Sequence, residues 1–263
     1  MQINEKNINN NMAYWGVNFT LLIALVFTVS AFANDDITFD KTSLMYYSEN
    51  YPPMNYAKNE VAVGASVEIL AAMWEKMHIE PKKINILPWA RAYKTLLSQE
   101  NAVLFTMSKT NGRESLFKWV GPILSTTHIL IARKSAKINI HSIEESFNYR
   151  VATIQNDISE LSLLNRGFPV VNMQKLTTLD QAIRMLNAKR VDLMLLTDDA
   201  LPSLLKRHHL SADEVEVVFN VNSVGSYFAF NKRVPDKVVA QFQQAFDAIK
   251  PQRANILKHY QLN

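Results

Sequence analysis

The chain has 263 residues, 48% of them hydrophobic, which is enough for a globular core in one or two domains. It contains no cysteine, so neither a disulfide nor a cysteine-linked lipid contributes to its structure. The net charge is only +4, and the basic residues are scattered without interleaved aromatic residues. This pattern argues against a nucleic-acid-binding protein.

An apolar segment near the start, residues 17–31, is typical of an export signal. It ends in Ala31-Phe-Ala33, the small-x-small pattern of a secretory cleavage site, and is short for a membrane span. The sequence therefore predicts a signal peptide over residues 1–33, cleaved after Ala33. An uncleaved anchor is the alternative, and either Met1 or Met12 could be the first residue.

From residue 37 onward, patterns typical of strands and helices alternate, which indicates an α/β protein. The predicted strands are 37–47, 84–87, 102–105, 117–132, 150–154, 170–173, 191–196, 215–219 and 226–230. The predicted helices are 64–77, 157–164, 176–188 and 198–208, with two more that begin near residues 88 and 235. The long stretch 117–132, interrupted at Gly121-Pro122, is interpreted as a crossing from one body of the protein to another.

Aromatic residues follow the ends of the first two predicted strands. Consecutive prolines stiffen the loop that carries Tyr47 and Tyr51, so both rings could form the wall of a ligand site; ordinary packing is the alternative. Trp89 stands at a helix start, where it is either a stacking platform or a core residue. Arg91 lies off the apolar face of the same helix.

The most informative stretch begins with the apolar strand 102–105. Two hydroxyls, Thr106 and Ser108, follow this strand, and a turn at Asn111-Gly112 then presents Arg113. Ligands of open α/β sheets bind outside the carboxyl ends of strands, and arginine matches a carboxylate with two hydrogen bonds. These residues predict a site for a small anionic group, unless Arg113 is simply a solvated loop charge.

A weak internal repeat indicates a protein built of two similar α/β bodies. Residues 97–108 align without a gap on residues 186–197, and each segment reads as a helix end, a short turn, a buried strand and a hydroxyl. The first copy leads to Arg113 and the second to Asp198-Asp199. Two facing bodies would bring a cation and an anion to one cleft, which suits a zwitterion. The alternative for Asp198 is a helix N-cap.

Several common catalytic and cofactor motifs are missing from the sequence. The six glycines are too dispersed for a dinucleotide or phosphate loop, and no Gly-x-Ser-x-Gly elbow occurs. The six histidines lack metal-ligand spacing and are interpreted as surface or hydrogen-bonded residues. We therefore expect no metal, no cofactor and no catalytic group.

Taken together, these segments resemble the bacterial extracellular solute-binding protein family 3, the periplasmic receptors for amino acids and other small polar solutes. The motifs that carry the resemblance are Tyr51-Pro-Pro-Met-Asn-Tyr56, Gly64-Ala-Ser-Val-Glu-Ile-Leu70, Ser108 with Arg113, Phe117-Lys-Trp-Val-Gly-Pro122, Arg150-Val-Ala-Thr-Ile-Gln155 and Lys189-Arg-Val-Asp-Leu193. The resemblance implies an α/β, two-lobed periplasmic-binding-protein-like fold (type II), with a mixed sheet flanked by helices in each lobe and two hinge strands. Lobe 1 would comprise residues 34–127 and 224–263, and lobe 2 residues 128–223.

The resemblance also implies roles for particular residues. Arg113 would grip a ligand carboxylate, helped by Ser108 and Thr106, and the aromatics of the Tyr47–Tyr51 loop would line the cleft.

The chain departs from the family pattern at two places, which argues against a standard α-amino acid as the ligand. Asn156-Asp157-Ile158 replaces the usual Gly-Thr/Ser-Thr, and Thr197 followed by Asp198 stands where amino acid binders place an aspartate. Trp89 and Arg91 would then contribute to the cleft instead.

The expected function is that of a periplasmic, monomeric, non-catalytic receptor that closes on a small polar ligand and delivers it to an ABC-type membrane permease. Two alternatives remain open. A dehydratase-like periplasmic enzyme would need a general acid near Arg113, and the sequence offers no clear candidate. A ligand-sensing module would need a separate signalling partner.

Overall fold

The computed structural model describes residues 39–262. The predicted signal peptide lies outside these residues. Within residues 39–262, no helix is long and apolar enough to cross a membrane. Ten strands are present: β1 (Met45–Ser48), β2 (Tyr56–Lys58), β3 (Val61–Val63), β4 (Ile84–Ile86), β5 (Ala102–Ser108), β6 (Phe117–Arg133), β7 (Val151–Ile154), β8 (Met173–Leu176), β9 (Leu193–Thr197) and β10 (Val215–Asn231).

The helices follow the apolar periodicity of the sequence, and most begin within a few residues of the predicted start. They are α1 (Ala65–Lys76), α2 (Trp89–Ser98), α3 (Asn111–Glu114), α4 (Ile158–Leu164), α5 (Leu179–Asn187), α6 (Leu201–Arg207), α7 (Asp236–Ala248) and α8 (Lys250–His259). In α5, for example, Leu179, Ala182, Ile183 and Leu186 are buried on one stripe.

Eight strands form one mixed sheet in the order β4-β1-β5-β10-β6-β9-β7-β8. Strands β6 and β10, each of 17 residues, form its antiparallel centre. The parallel group β4-β1-β5 adds to the late part of β10, and the group β9-β7-β8 adds to the late part of β6. We call these groups, with their helices, the first half and the second half.

This arrangement confirms the predicted α/β fold with a mixed sheet flanked by helices. Strand β6 corresponds to the predicted crossing 117–132, which Gly121-Pro122 does not interrupt. The predicted segments 215–219 and 226–230 belong to a single strand, β10. Thr127 and Ser223 face each other across these strands, and their hydroxyls are hydrogen-bonded at 2.9 Å. The predicted lobe boundaries fall at this pair and remain a prediction.

Each half has its own apolar core. Tyr46, Trp74, Phe230 and Phe242 pack in the first half, with the Phe230 and Phe242 rings 5.1 Å apart. Leu130, Leu163, Phe168 and Leu195 pack in the second half. A third buried cluster takes residues from both halves, among them Trp89, Leu104, Ile154 and Leu196. The two halves are therefore in contact over an apolar surface.

The structure corrects four local predictions. The first strand begins at Met45, because Asp40 caps a helical turn at Lys41–Ser43. The strand predicted at 170–173 begins only at Met173, and the exposed valines before it form another such turn, Val170–Asn172. The turn at Asn111-Gly112 is instead the start of α3. Helix α6 begins at Leu201 with Ala200 at its N-cap, so Asp198 is not the cap.

Candidate functional site

A small enclosed cavity lies between the two halves, where the ends of several strands meet. Its volume is about 40 Å³, little more than the roughly 30 Å³ that one water molecule takes up in the liquid. It is lined by Glu49, Tyr51, Trp89, Thr106, Ser108, Thr126, His128, Asp157, Ile158, Thr197, Asp199 and Ser226. Most of these side chains are polar, so the cavity is a candidate site for a polar ligand.

Several polar contacts join the halves around this cavity. The Tyr51 hydroxyl is hydrogen-bonded to the Thr197 hydroxyl and donates to the Asp199 carboxylate at 3.2 Å. The indole N–H of Trp89 donates to the carbonyl oxygen of Asn156 at 2.8 Å. At the edge of the cleft, the Ser203 hydroxyl donates to the Pro52 carbonyl at 2.6 Å. The two halves are therefore in direct polar contact around the cavity.

Arg113 is buried at this interface, with only 2% of its surface exposed. One terminal N–H group donates to the Asn156 carbonyl of the second half at 3.2 Å, and the other lies 3.5 Å from the Ser108 carbonyl. Its Nε has no hydrogen-bond partner among residues 39–262. Arg113 does not itself line the cavity, but it contacts residues that do. The solvated-loop alternative is therefore wrong.

Two aromatic rings fix the position of the guanidinium. The central carbon of Arg113 lies 5.1 Å from the Trp89 ring centroid and 5.2 Å from that of Tyr93. The two rings are stacked, with centroids 5.8 Å apart. Such cation–π contacts hold a buried guanidinium without neutralising its charge. An anionic group of a ligand could still pair with this charge.

The two hydroxyls after strand 102–105 line the cavity because the end of β5 is irregular. Thr106 has φ of +61°, a rare value for a β-branched residue, and the pairing with β10 shifts register between Tyr227 and Phe228. A bulge of this kind changes the direction of a side chain. The Thr106 hydroxyl donates to Ser66 at 2.8 Å, and Ser108 lines the cavity beside it.

Carboxylates are the main charged groups of the cavity wall. Glu49, Asp157 and Asp199 all line it. Burial, and then the negative charge of Asp157, raise the pKa of Glu49 to about 8, although Arg113 opposes this shift. Burial likewise raises the pKa of Asp199. Three acidic groups and one guanidinium therefore surround a space that favours a ligand with a cationic part.

His128, like Glu49, lines the cavity but was not predicted from the sequence as a site residue. It lies on β6, is only 2% exposed and lines the cavity. Among the described residues, no side chain is hydrogen-bonded to either ring nitrogen, and the only polar neighbour that acts on the ring by hydrogen bonding is the Asn222 backbone on β10. Burial lowers the pKa of this imidazole, so it is neutral at pH 7. The interpretation of all six histidines as surface or hydrogen-bonded residues is therefore wrong for His128.

The predicted site residues divide into two groups. Tyr51, Trp89, Thr106, Ser108, Asp157 and Thr197 line the cavity. Arg113 lies behind the wall, and four others do not line the cavity. The Tyr47 hydroxyl donates to Gln99 at 2.7 Å within the first half. The side chains of Arg91 and Asn156 are exposed, and Asn156 contributes its carbonyl oxygen to the interface instead.

Asp198 lies beside a second, larger cavity of about 450 Å³. Its carboxylate accepts hydrogen bonds from the backbone N–H groups of Thr127 and Asp199, at 3.0 and 2.9 Å. The larger cavity shares Thr126 and Asp199 with the small one, and Lys206 and Tyr260 also border it. The two cavities are thus neighbours along the cleft between the halves.

The described residues offer no clear place for a metal ion. Between residues 39 and 262, no three histidine, aspartate or glutamate side chains are grouped as a metal-binding cluster.

Solved structures with the same fold are numerous. A histidine kinase sensor domain with similarity to periplasmic binding proteins has a TM-score of 0.76 at 18% identity, with 84% of this chain and 97% of that chain covered. The substrate-binding protein of an amino acid ABC transporter has a TM-score of 0.71 at 14% identity, covering 82% and 98%. The arginine-, lysine-, histidine-binding protein ArtJ from Geobacillus stearothermophilus has a TM-score of 0.72 at 16% identity, with 82% of this chain and 94% of that chain covered.

At these identities, the likenesses establish the fold alone. Among curated proteins, no sequence matches this chain. The family model of the bacterial extracellular solute-binding proteins, family 3, matches residues 44–261, which is nearly the whole described part of the chain. The chain therefore belongs to the bacterial extracellular solute-binding proteins, family 3.

Proposed function

We propose that this protein is a periplasmic, non-catalytic receptor for a small zwitterionic solute with a carboxylate, such as an amino acid or a related compound. The observation that carries the proposal is the burial of Arg113 between the two halves, directly behind a polar cavity. A charged guanidinium is rarely buried without a carboxylate to pair with. The ligand carboxylate would supply that partner. Ser108 would be an additional hydrogen-bond donor, and so would Thr106 after its hydroxyl turns from Ser66 to the ligand.

The opposite wall selects the cationic part of the ligand. Glu49 is protonated at pH 7 in the closed form, but Asp157 and Asp199 still outnumber the single guanidinium, so a neutral zwitterion would leave the site acidic. A second cationic group on the ligand would balance this charge better. The similarity of fold to a protein named for arginine, lysine and histidine binding agrees with this choice. We therefore favour ligands that carry more than one nitrogen.

Binding would work by closure of the halves. The cavity is small, about 40 Å³, so the halves would separate to admit the ligand and then close around it. The contacts of Tyr51 and Trp89 across the cleft would re-form around the ligand. The closed receptor, as a monomer, would then dock to an ABC-type permease, the arrangement named for one structure of similar fold.

A sensing role is the second candidate. The similarity of fold to a histidine kinase sensor domain favours it. A sensor would pass the closed state to a signalling partner, whereas a transport receptor would deliver the solute. Uptake of a radiolabelled ligand by cells with and without the protein distinguishes the two, because only the transport role requires accumulation of the solute.

The location rests on the family and on residues 1–33 as a cleavable signal peptide. N-terminal sequencing of protein from a periplasmic extract should begin at Asn34. An unprocessed start in the membrane fraction would contradict cleavage.

The binding proposal is tested by thermal unfolding with L-amino acids, polyamines and small organic acids. A ligand that binds the native state raises the melting temperature with its concentration. Arg113→Met should abolish the shift for a carboxylate ligand, since it removes the cation but keeps much of the apolar length. The exposed Arg91→Met serves as the matched control. An unchanged shift in Arg113→Met would refute the role of Arg113.

A further inference from the structure

We propose that His128 is a ligand-binding residue whose imidazole accepts a hydrogen bond from an N–H group of the ligand, remote from the carboxylate. This proposal rests on the receptor function proposed above and deepens it. It begins from an imidazole that lines the cavity, is 2% exposed and has no side-chain hydrogen-bond partner within residues 39–262.

The position of His128 on β6 makes a purely structural role a poor explanation. Its backbone pairs with Thr197 on one side and Asn222 on the other, so the strand holds the residue in place without help from the side chain. The following residues of the strand, Ile129 and Leu130, are buried apolar residues. A leucine at 128 would avoid the free-energy cost of a buried, unpaired imidazole. The chain instead keeps a polar group at the cavity.

The charges around His128 indicate which ligand group it meets. Asp157, from the loop before α4, Asp198, just after β9, and the Asn222 backbone attract a proton to the imidazole. Arg113 of α3 repels it. Burial outweighs these charges, so one ring nitrogen remains an acceptor. Because Glu49, Asp157 and Asp199 share the cavity, an amine, guanidine or amide N–H matches this wall better than an acceptor does.

The test uses L-lysine, L-arginine and L-glutamine as probes, with L-norleucine as the matched compound. Norleucine keeps the carboxylate, the α-amine and an unbranched chain but lacks the terminal N–H. Dissociation constants are measured by isothermal titration calorimetry for the wild type, His128→Leu and His128→Gln. His141→Leu is the control, since His141 is exposed and does not line the cavity.

Loss of one buried hydrogen bond should weaken binding of the preferred probe about tenfold in His128→Leu, and norleucine binding by no more than about twofold. His128→Gln, which can still accept a hydrogen bond, should retain intermediate affinity. His141→Leu should match the wild type. The apo His128→Leu protein should also melt at a higher temperature than the wild type, which shows that it is folded.

Other outcomes separate this proposal from the receptor function. Equal losses for the preferred probe and norleucine, or no loss for either, would overturn the role of His128 and leave the receptor function intact. Wild-type protein that binds norleucine as tightly as the other three probes would also overturn the role of His128 and leave the receptor function intact. Wild-type protein that binds none of the four compounds would contradict both proposals.

Discussion

The indole N–H of Trp89 and the carbonyl oxygen of Asn156 are joined by a 2.8 Å hydrogen bond that connects the two halves of the protein. The same carbonyl accepts a hydrogen bond from Arg113. Asn156 has φ of +60°, a left-handed conformation that asparagine tolerates well and that sets the direction of its peptide group. The Asn156 carbonyl oxygen thus accepts hydrogen bonds from two side chains of the first half, Trp89 and Arg113.

Trp89→Phe removes this donor but keeps an aromatic ring against Arg113. We expect ligand affinity to fall about three- to tenfold, since a hydrogen bond of this kind contributes about 1 kcal/mol to the closed state. Titration calorimetry with the best ligand from the thermal screen measures the effect. Trp119→Phe is the control, because the Trp119 indole donates to Glu114 within one half. Equal losses in both variants would indicate a general effect of losing an indole.

Tyr51→Phe removes the hydroxyl that bridges to Thr197 and Asp199. We expect the ligand-free protein to open more readily, because the hydroxyl is hydrogen-bonded only across the cleft. Small-angle X-ray scattering should report a larger radius of gyration than for the wild type. Tyr47→Phe is the control, since its hydroxyl bonds to Gln99 within the first half. An unchanged radius in Tyr51→Phe would exclude a latch at this position.

The raised pKa of Glu49 predicts that opening of the empty protein depends on pH. In the closed form Glu49 holds its proton up to about pH 8, whereas in water its pKa is near the ordinary 4.5. The closed form therefore binds more protons between these values, and it loses stability relative to the open form as pH rises through 8. We expect the radius of gyration to increase between pH 6.5 and 9.

This pH range excludes the titration of His128, whose pKa in the closed form is lowered from 6.5. Below pH 6.5, that shift makes the closed form more stable as pH rises, the opposite of the effect of Glu49. Glu49→Gln is uncharged at every pH, so its radius should be constant over the same range. Glu60→Gln, at an exposed position, should behave as the wild type does. A Glu49→Gln protein that follows the wild-type curve would show that another group titrates.

Gly64→Ala should destabilise the first half. Gly64 has φ of +122°, and an added Cβ would lie 2.5 Å from the Met54 carbonyl oxygen and 2.7 Å from that of Pro53. These carbonyls accept hydrogen bonds from Ser66 and Ala65 at the start of α1, so neither can move freely. We expect a loss of about 1–3 kcal/mol in unfolding free energy, measured by urea denaturation.

Gly112→Ala is the matched control, because nothing lies within 4 Å of a Cβ added there. Its unfolding free energy should remain close to that of the wild type. A similar loss in both variants would show that the close approach of the Tyr51 loop to α1 is not the cause.

The sequence predicted the parts of the fold that have strong local patterns. Helix α1 and the strand beginning at Ala102 follow apolar periodicity, and their bounds match closely. The strand predicted at Val170 failed because a valine-rich segment bounded by Pro169 forms an exposed turn instead. Periodicity does not record whether a short apolar segment finds a partner strand.

The site was predicted less completely, for a physical reason. Arg113 follows a strand end and could be recognised from its neighbours in sequence. Glu49 follows β1, Asp199 lies just after β9 and His128 is part of β6, and only the arrangement of the two halves brings them together. For His128 one local signal existed: it directly precedes the apolar run Ile129 to Ala132 within an extended stretch.

The central strands β6 and β10 are shared by both three-stranded groups, so any swing of one group against the other must bend them. The ladder between them is already irregular at Asn220–Asn222 and at Ser226–Phe228, on either side of the Thr127–Ser223 pair. Flexure concentrated there would tilt the outer helices of one group relative to those of the other. A membrane partner touching only those helices could tell a loaded molecule from an empty one without reaching the solute.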